Sequence, residues 1–414
     1  MIQVAVIGAG LLGRGIAEVV SRAGFPVILC DANAETLAQA CEVVRGTVST
    51  ARERVRTESV LEQAARSAEI VIEAVLEDLL VKRELFARLG TANPDAILMS
   101  NSSVLPITQI AMLTARPERA VGTHWWNPPQ LIPVVEVIRG RRTTEKTMQR
   151  TVEFLKALGK NPVRVERDLP GFVGNRLQHA LWREALVLVS DGVCPPETVD
   201  RIVAATLGAS LAERGPIVEM RRTGLREVTR ELTDMLPLVS SDPRPARLLR
   251  ELVAAGHLGA KTGRGFLRWP PGAQALAGER LRGHLERRLG RRAEEIVPAS
   301  QELSEADRDI ARRLRVALWR EALALVEGGV CGAETVDLMA MSTLGLRLPA
   351  MGPVVNADYV GLDLTLAIHE VVLPALEAGV SVPENLANIL AAAAPQSMAA
   401  TGGPPFNRAI PSPP

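Results

Sequence analysis

Residues 1–31 read MIQVAVIGAGLLGRGIAEVVSRAGFPVILCD, and this stretch decides the fold of the first part of the chain. The apolar run Gln3–Gly8 predicts a buried parallel strand, and Phe25–Cys30 predicts a second one. Between them a helix is predicted from about Leu11 to Arg22, and Gly24 ends it. A strand, a helix and a second strand in this order indicate a parallel α/β sheet.

Three glycines directly follow the first strand with the spacing GxGxxG, at Gly8, Gly10 and Gly13. The first allows a tight turn, the second lets a pyrophosphate approach the backbone, and the third lets the helix pack on the strand. The helix start, with Leu11 and Leu12, offers free N–H groups and a positive dipole end to phosphates. The pattern predicts a dinucleotide site; the alternative is a glycine-rich turn in another α/β protein.

Asp31 ends the second predicted strand. A carboxylate at this place can accept hydrogen bonds from the ribose hydroxyls of an adenosine, and it repels a 2′-phosphate. The residue therefore predicts NAD as the cofactor and disfavours NADP.

Length, charge and cysteine content narrow the class of protein. A chain of 414 residues is expected to form two or three domains. A net charge of +1 without a basic block argues against nucleic acid or a membrane as partners. Met1 leads almost directly into the first strand, and no long uncharged apolar segment follows, so no signal peptide or membrane span is expected. Four cysteines lack metal-ligand spacing, which predicts a reducing cytoplasm and no metal site: Cys30, Cys41, Cys194 and Cys331.

The chain changes from alternating strands and helices to a helical pattern near Asp168. The predicted domains are a dinucleotide-binding domain over 1–167, a first helical domain over 168–270, a linker over 271–303, a second helical domain over 304–394 and a disordered tail over 395–414. Further strands are predicted at Ala68–Val75, Ala96–Ser100, Ala120–Gly122, Val134–Ile138 and Pro162–Glu166.

The helical part contains an internal repeat. LWREA occurs at Leu181–Ala185 and again at Leu318–Ala322, an offset in residue number of 318 − 181 = 137. Because several further pairs share this offset, two copies of one helical module are predicted, with Trp182 and Trp319 in their cores. These pairs are Val193-Cys194 with Val330-Cys331, Glu197–Asp200 with Glu334–Asp337, Leu207-Gly208 with Leu344-Gly345, Gly215-Pro216 with Gly352-Pro353, and Gly224-Leu225 with Gly361-Leu362.

Residues 121–138 read VGTHWWNPPQLIPVVEVI and hold a second motif. The separation of His124 from Glu136 (136 − 124 = 12) suits a strand end, a proline-rich loop and a return strand. An imidazole, with an ordinary pKa of about 6.5, suits proton transfer near neutral pH. The alternatives are a structural histidine, as assumed for the other four histidines, and a surface strand charge for Glu136, although its apolar flanks favour burial.

Several further segments occur in an order that resembles the L-3-hydroxyacyl-CoA dehydrogenase family, from Met1 to about Glu377. The resemblance implies a Rossmann-type α/β domain followed by two tandem all-α modules, similar to the C-terminal domain of 6-phosphogluconate dehydrogenase, with NAD and substrate in the cleft between them. The matching segments are SNSSVLPI (100–107), HWWNPP (124–129), VEV (135–137), PGFVGNRL (170–177), GAKTGRGF (259–266) and GPVVNADYVGLD (352–363).

The resemblance also implies roles for individual residues. His124 would be the general base that removes the hydroxyl proton, and Glu136 would hold its other ring nitrogen. Ser103 and Asn175 would hydrogen-bond the reacting oxygen, although either could instead be a helix cap.

Two further charged residues, Glu77 and Lys82, would by the same resemblance lie near the nicotinamide ribose. An ordinary charged helix start at the surface is the alternative for both residues.

Three functions are compatible with these motifs. The first is NAD-dependent interconversion of an L-3-hydroxyacyl-CoA and its 3-oxoacyl-CoA, as in fatty acid metabolism. The second is oxidation of a small free 3-hydroxy acid, similar to gulonate and carnitine dehydrogenases, because the segment between Asp31 and Ala68 is short and Trp125 and Trp126 could narrow the pocket. The third is a non-catalytic NAD-binding protein, against which the presence of all four predicted catalytic residues argues.

The two helical copies differ at informative positions. Arg312 stands at the offset of Asn175 (175 + 137), and RRTGLR at 221–226 stands where the second copy has DYVGLD at 358–363. The copies therefore look complementary, and we expect either a monomer that is an internal pseudo-dimer with one active site or a homodimer.

Overall fold

A single mixed sheet forms the first part of the chain in the computed structural model, which describes residues 2–47, 54–206, 215–223, 225–279, 304–344, 352–376, 383 and 386–392. The predicted tail and most of the predicted linker lie outside these residues. The strands are β1 Val4–Ile7, β2 Val27–Cys30, β3 Val55–Glu58, β4 Ile70–Glu73, β5 Ile97–Ser100, β6 Ala120–Trp125, β7 Val134–Ile138 and β8 Asn161–Val165.

The strand order β3-β2-β1-β4-β5-β6-β7-β8 places the N-terminal strand in the middle of the sheet. The first six strands in this order are mutually parallel, while β7 is antiparallel to β6 and parallel to β8. This is the doubly wound order in which a dinucleotide binds at the carboxyl ends of the central strands. The Rossmann-type fold predicted from the glycine motif is therefore confirmed.

Helices cover both faces of this sheet, which explains why its central strands are apolar apart from polar residues at their carboxyl ends. In β1, Ala5 and Ile7 belong to one buried cluster, while Val4 and Val6 belong to the cluster on the opposite face. The helices described in this part are α1 Leu11–Arg22, α2 Ala34–Thr47, α3 Leu61–Arg66, α4 Leu79–Ala92, α5 Ile107–Ile110 and α6 Glu145–Ala157.

The strand β3 was not predicted from the sequence. Its residues read VRTE, and only Val55 is buried. Since β3 lies at the edge of the sheet and most of its side chains face solvent, it lacks the apolar pattern that marks the other strands.

The described part of the chain after Asp168 is helical, and the two longest helices that it contains pack along one another. Trp182 and Trp319, at matching places on these two helices, are both buried, as predicted. The helices described here are α7 Gly174–Ser190, α8 Pro196–Thr206, α9 Pro216–Thr223, α10 Leu225–Met235, α11 Arg247–Ala254, α12 Glu305–Glu327, α13 Ala333–Met339, α14 Pro353–Val360, α15 Leu362–Val372 and α16 Leu386–Ala392.

Two reciprocal ion pairs join α7 to α12. Arg176 Nε lies 2.6 Å from Glu321 Oε1, and Arg313 Nε lies 2.6 Å from Glu184 Oε1. The two arginines are separated by the repeat offset (313 − 176 = 137), and so are the two glutamates (321 − 184 = 137), so each helix presents the same pair of residues to the other. A contact in which i meets j and j meets i is the signature of two-fold symmetry.

The last helix of each repeat packs on the other repeat. On α11, Leu249 shares a buried cluster with Leu323 and Leu362 from the second repeat. On α16, Leu386 is the counterpart of Leu249 (386 − 249 = 137), and it shares a cluster with Leu186 from the first repeat. The two repeats therefore exchange equivalent helices.

We expect the substitution Glu321→Gln to lower the free energy of unfolding by about 3 kcal/mol, because it leaves the largely buried guanidinium of Arg176 without a charged partner. Chemical denaturation followed by circular dichroism measures this change. The control is Asp95→Asn, which removes an exposed partner of Arg116 and should change stability by less than about 1 kcal/mol. Equal effects of the two substitutions would contradict a structural role for the buried pair.

Candidate active site

The glycine motif forms the turn between β1 and α1. Gly8 has φ +98°, and a Cβ atom there would lie 2.6 Å from the carbonyl oxygen of Ala74. A Cβ atom on Gly13 would lie 1.8 Å from the carbonyl oxygen of Gly8, so the helix can approach the strand only without a side chain. Gly10 caps α1 without a side-chain hydrogen bond and has nothing within 4 Å of its Cβ position. The start of α1 therefore leaves its backbone N–H groups available to phosphates.

A cleft of about 650 Å³ opens beside this turn and is lined by Gly8, Gly10 and Asp31 among others. The carboxylate of Asp31 accepts hydrogen bonds from Ala9 N and Asn33 N, both at 2.8 Å. These bonds hold the carboxylate at the end of β2, at the edge of the cleft. The available N–H groups at the start of α1 fit the pyrophosphate of a dinucleotide, and the fixed carboxylate of Asp31 fits its adenosine ribose.

The structure brings His124 and Glu136 together as predicted. They lie directly opposite each other on the antiparallel strands β6 and β7, and His124 Nδ1 is 2.6 Å from Glu136 Oε2. Glu136 is completely buried, and its second oxygen, Oε1, accepts hydrogen bonds from Val173 N at 2.9 Å and Gly174 N at 3.2 Å. One carboxylate thus links the histidine to the start of α7.

The imidazole of His124 is oriented by this carboxylate. A neutral ring that donates its Nδ1–H to Glu136 has the lone pair of Nε2 available for a proton. The rings of Trp126 and Phe172 lie beside it, with centroids 4.8 and 5.8 Å away. Trp125, by contrast, is buried in the core of the sheet, so of the two indoles only Trp126 can narrow a pocket at this site.

Ser103 and Asn175 also meet. Ser103 follows β5, Asn175 is in the first turn of α7, and the side-chain Nδ2 of Asn175 donates a hydrogen bond to the backbone oxygen of Ser103 at 2.9 Å. Within the described part of the chain, no hydrogen bond of the Ser103 hydroxyl is found. The two residues predicted to contact the reacting oxygen are therefore neighbours, and the Ser103 hydroxyl is available.

Glu77 holds the loop that carries Ser103. Its Oε1 accepts hydrogen bonds from Ser102 Oγ at 2.6 Å and from the backbone N of Ser103, Val104 and Leu105 at 2.9 to 3.3 Å. Burial alone would raise the pKa of Glu77, but the charge of Lys82 and these hydrogen bonds lower it below its ordinary value. Contact of Glu77 with the cofactor remains a prediction.

Lys82 lies behind this loop with no exposed surface. Its ammonium is 2.5 Å from Glu73 Oε1 and 3.3 Å from Glu77 Oε2. Its side chain therefore does not face the cleft, and a direct contact with the nicotinamide ribose would require this buried cluster to open. Lys82 is held in this cluster because an ammonium group without exposed surface is stable only beside carboxylates.

Two supporting residues were missed from the sequence. Glu73 ends β4 and accepts hydrogen bonds from Ser100 Oγ at 2.7 Å and from Lys82 Nζ. The sequence pattern that could have indicated its role is an acidic residue at the end of an otherwise apolar strand. Lys160 donates hydrogen bonds to the carbonyl oxygens of Pro129 and Ile132 in the loop after Trp126, a role that no local pattern indicates.

The sequence matches two domain descriptions of one family. The NAD binding domain of 3-hydroxyacyl-CoA dehydrogenase matches residues 3–169, and the C-terminal domain of 3-hydroxyacyl-CoA dehydrogenase matches residues 171–269 and 310–400. The fold and the cleft thus define an NAD-dependent oxidoreductase. The chain belongs to the 3-hydroxyacyl-CoA dehydrogenase family.

Individual relatives agree with this assignment. A probable 3-hydroxybutyryl-CoA dehydrogenase of Bacillus subtilis is 38% identical over 281 residues, which are 64% of this chain and 96% of the relative. The 5-formyl-3-hydroxy-2-methylpyridine 4-carboxylate 5-dehydrogenase of Mesorhizobium japonicum is 33% identical over 294 residues, 68% of this chain and 95% of the relative. The crystal structure of 3-hydroxybutyryl-CoA dehydrogenase from Escherichia coli K12 superposes with a TM-score of 0.62 at 25% identity, covering 85% of this chain and 90% of that one.

Metal-binding and membrane-spanning features are absent from the described ranges. There, no three side chains of His, Cys, Asp or Glu are grouped as metal ligands would be. No helix in those same ranges has the length and apolar character needed to span a bilayer.

We expect Gly10→Ala and Gly13→Ala to separate cofactor binding from folding. Gly10→Ala should leave the unfolding temperature unchanged, because its methyl group meets no protein atom, but should weaken NADH binding about tenfold by blocking the pyrophosphate. Gly13→Ala should lower the unfolding temperature, because its methyl group would overlap the Gly8 carbonyl. Fluorescence titration and thermal denaturation measure the two effects. Unchanged NADH binding by Gly10→Ala would place the dinucleotide elsewhere.

Proposed function

We propose that the protein interconverts an L-3-hydroxyacyl-CoA and its 3-oxoacyl-CoA with NAD, and that His124 is the general base. The observation that carries this proposal is the buried pair of His124 and Glu136, held at 2.6 Å across two antiparallel strands. The family to which the chain belongs and the printed names of its relatives support the substrate class.

The proton step uses the orientation of the imidazole. His124 Nε2 accepts the proton of the substrate hydroxyl, while Glu136 keeps Nδ1 protonated and stabilises the imidazolium that forms. Because Glu136 is fully buried and already accepts two backbone hydrogen bonds, its charge is fixed at the position where the positive charge develops. In the reverse direction the imidazolium returns the proton to the oxygen.

The oxygen of the substrate is positioned by Ser103 and Asn175. The Ser103 hydroxyl can donate to it, and Asn175 holds the Ser103 backbone from α7. Gly8, Gly10, Leu11, Leu12 and Asp31 would hold NAD, which when bound supplies the hydride acceptor for the carbon that bears this oxygen.

A second candidate substrate is a small free hydroxy acid. The segment between Asp31 and Ala68 is short, and the acyl-CoA enzymes would use a longer helical hairpin at this place to clasp the CoA tail. The Mesorhizobium relative, named for a free pyridine carboxylate, supports this alternative.

The roles of the predicted pair can be tested by substitution. We expect His124→Ala to lower kcat by about 10²–10⁴ and Glu136→Gln to lower it by about 10², with little change in NADH affinity, because neither residue is in the nucleotide cleft. The matched control, His257→Ala, should retain full activity. Steady-state kinetics measure kcat, and NADH titration measures the affinity for the cofactor. Full activity of His124→Ala would exclude it as the base.

The substrate class is tested by NADH oxidation with acetoacetyl-CoA beside free acetoacetate and a panel of 3-oxo acids. We expect turnover of the thioester that His124→Ala abolishes. Turnover of free acids alone would show that the short connection after α2 has removed CoA recognition. Tight NADH binding without any turnover would favour a non-catalytic NAD-binding protein.

We also propose that the helical part consists of two tandem modules forming an internal pseudo-dimer. The reciprocal pairs of α7 and α12 support this, as does Asp358 of the second copy, which accepts hydrogen bonds from Phe266 N, Leu267 N and Trp269 Nε1 of the first copy's GAKTGRGF segment and its flank. We propose the domain boundaries that the sequence predicts as part of the same arrangement. The four free, buried cysteines are compatible with a cytoplasmic location.

An internal pseudo-dimer has a simple consequence in solution. Since the second copy already covers the face that a partner subunit would cover, we expect a monomer of 44.5 kDa by size-exclusion chromatography with light scattering. An obligate dimer through α7 or α12 would contradict the proposal.

A further inference from the structure

A second cavity, of about 320 Å³, lies between the repeats and shares no lining residue with the nucleotide cleft. Three elements enclose it: the segment from Ser240 through the start of α11, the C-terminal half of α12, and α15 with Leu373 beyond it. Its volume falls at the lower end of the range for small-molecule pockets, about 300–1,000 Å³.

Two buried polar side chains that line this cavity have nitrogen atoms without a hydrogen-bond partner among the described residues. Arg320 is 5% exposed, and the atoms concerned are its Nε and Nη1. His369 is 1% exposed, and the atoms concerned are both of its ring nitrogens. Because buried donors are normally satisfied, two neighbouring side chains with unsatisfied nitrogen atoms beside one cavity indicate that a partner is missing there.

The first repeat shows that this arrangement is not required by the fold. Arg183, the counterpart of Arg320 (320 − 137), donates hydrogen bonds to the carbonyl oxygens of Val239 and Ser240. The counterpart of His369 is Leu232 (369 − 137), a fully buried core residue. The second repeat therefore has an arginine whose Nε and Nη1 lack a partner among the described residues, and it has a histidine at the position where the first repeat packs a leucine.

The charges around the cavity favour an anion. Arg244 pairs with Asp242 at 3.0 Å, and Arg247 pairs with Glu251 at 2.7 Å and with Glu327 at 3.3 Å, whereas Arg250 and Arg320 form no ion pair within the described residues. Four guanidinium groups of the cavity lining thus stand against three carboxylates, of which Glu251 lies outside the lining.

The histidine adds hydrogen bonds rather than charge. Burial and the charge of Arg320 lower the pKa of His369 to about 4, so its ring is neutral at pH 7 and offers one donor. Leu323 and Leu373 supply an apolar wall beside these groups. Guanidinium groups bind the oxygens of phosphate and carboxylate in matching geometry.

We propose that this cavity binds a small organic anion, whose phosphate or carboxylate group is held by Arg320, Arg250 and His369 and whose apolar remainder packs on Leu323 and Leu373. The site is separate from the predicted catalytic residues, so it is independent of the proposed reaction.

The test uses the full chain saturated with NADH, so that the nucleotide cleft is occupied. Isothermal titration at constant ionic strength compares phenyl phosphate and benzoate, which differ in the anionic group, with benzyl alcohol as the neutral probe. We expect saturable binding of at least one acid and none of the alcohol. The acid that binds more tightly identifies the preferred head group.

Variants connect this binding to the cavity. Arg320→Leu should weaken it about tenfold or more, because a charged hydrogen-bond donor is lost. His369→Leu, which restores the residue of the first repeat, and Arg250→Gln, which changes an exposed position, should each weaken it about threefold to tenfold and are expected to fold normally. The control, Arg66→Gln, removes an exposed arginine from α3 and should bind as the wild type does.

Two results would overturn the proposal. One is the absence of saturable binding of either acid to the wild type. The other is unchanged affinity in both His369→Leu and Arg250→Gln, which would place the binding elsewhere even if Arg320→Leu could not be purified.

Discussion

The buried carboxylate of Glu136 is the constraint on which the rest of the site depends. It pairs with His124 through one oxygen and accepts backbone hydrogen bonds from Val173 and Gly174 through the other. A charge without exposed surface is stable only when its oxygens are satisfied, and here one partner comes from the sheet and the others from the start of α7. The same interaction that orients the imidazole therefore also fixes the helical part against the sheet, and with it Asn175 against Ser103.

A second group of buried charges supports the site from within the sheet domain. Glu73 and Glu77 enclose the ammonium of Lys82, and Glu77 in turn binds the backbone that carries Ser103. The loop around Ser103 is thus held by a carboxylate rather than by apolar packing. Such preorganisation keeps the Ser103 loop in place, which the proposed proton and hydride transfer would require.

The two copies of the sequence repeat meet through equivalent ion pairs, and we propose that they divide their roles. The equivalent pairs of Arg176 with Glu321 and Arg313 with Glu184 preserve the contact between the copies. Away from this contact the copies differ, since the first contributes Asn175 to the site and the second contributes Asp358 to the docking of the GAKTGRGF segment.

By itself the sequence determined the features that local patterns encode: the buried strands, the glycine turn before α1, the carboxylate at Asp31, and the cross-strand placement of His124 and Glu136. These follow from apolar periodicity and short spacings. Only the tertiary structure decided which indole reaches the site, that Lys82 is enclosed by carboxylates, and that Nε and Nη1 of Arg320 lack a partner among the described residues while its counterpart Arg183 bonds two carbonyl oxygens. These outcomes depend on side chains that are distant along the chain, and no local pattern records which of them will meet.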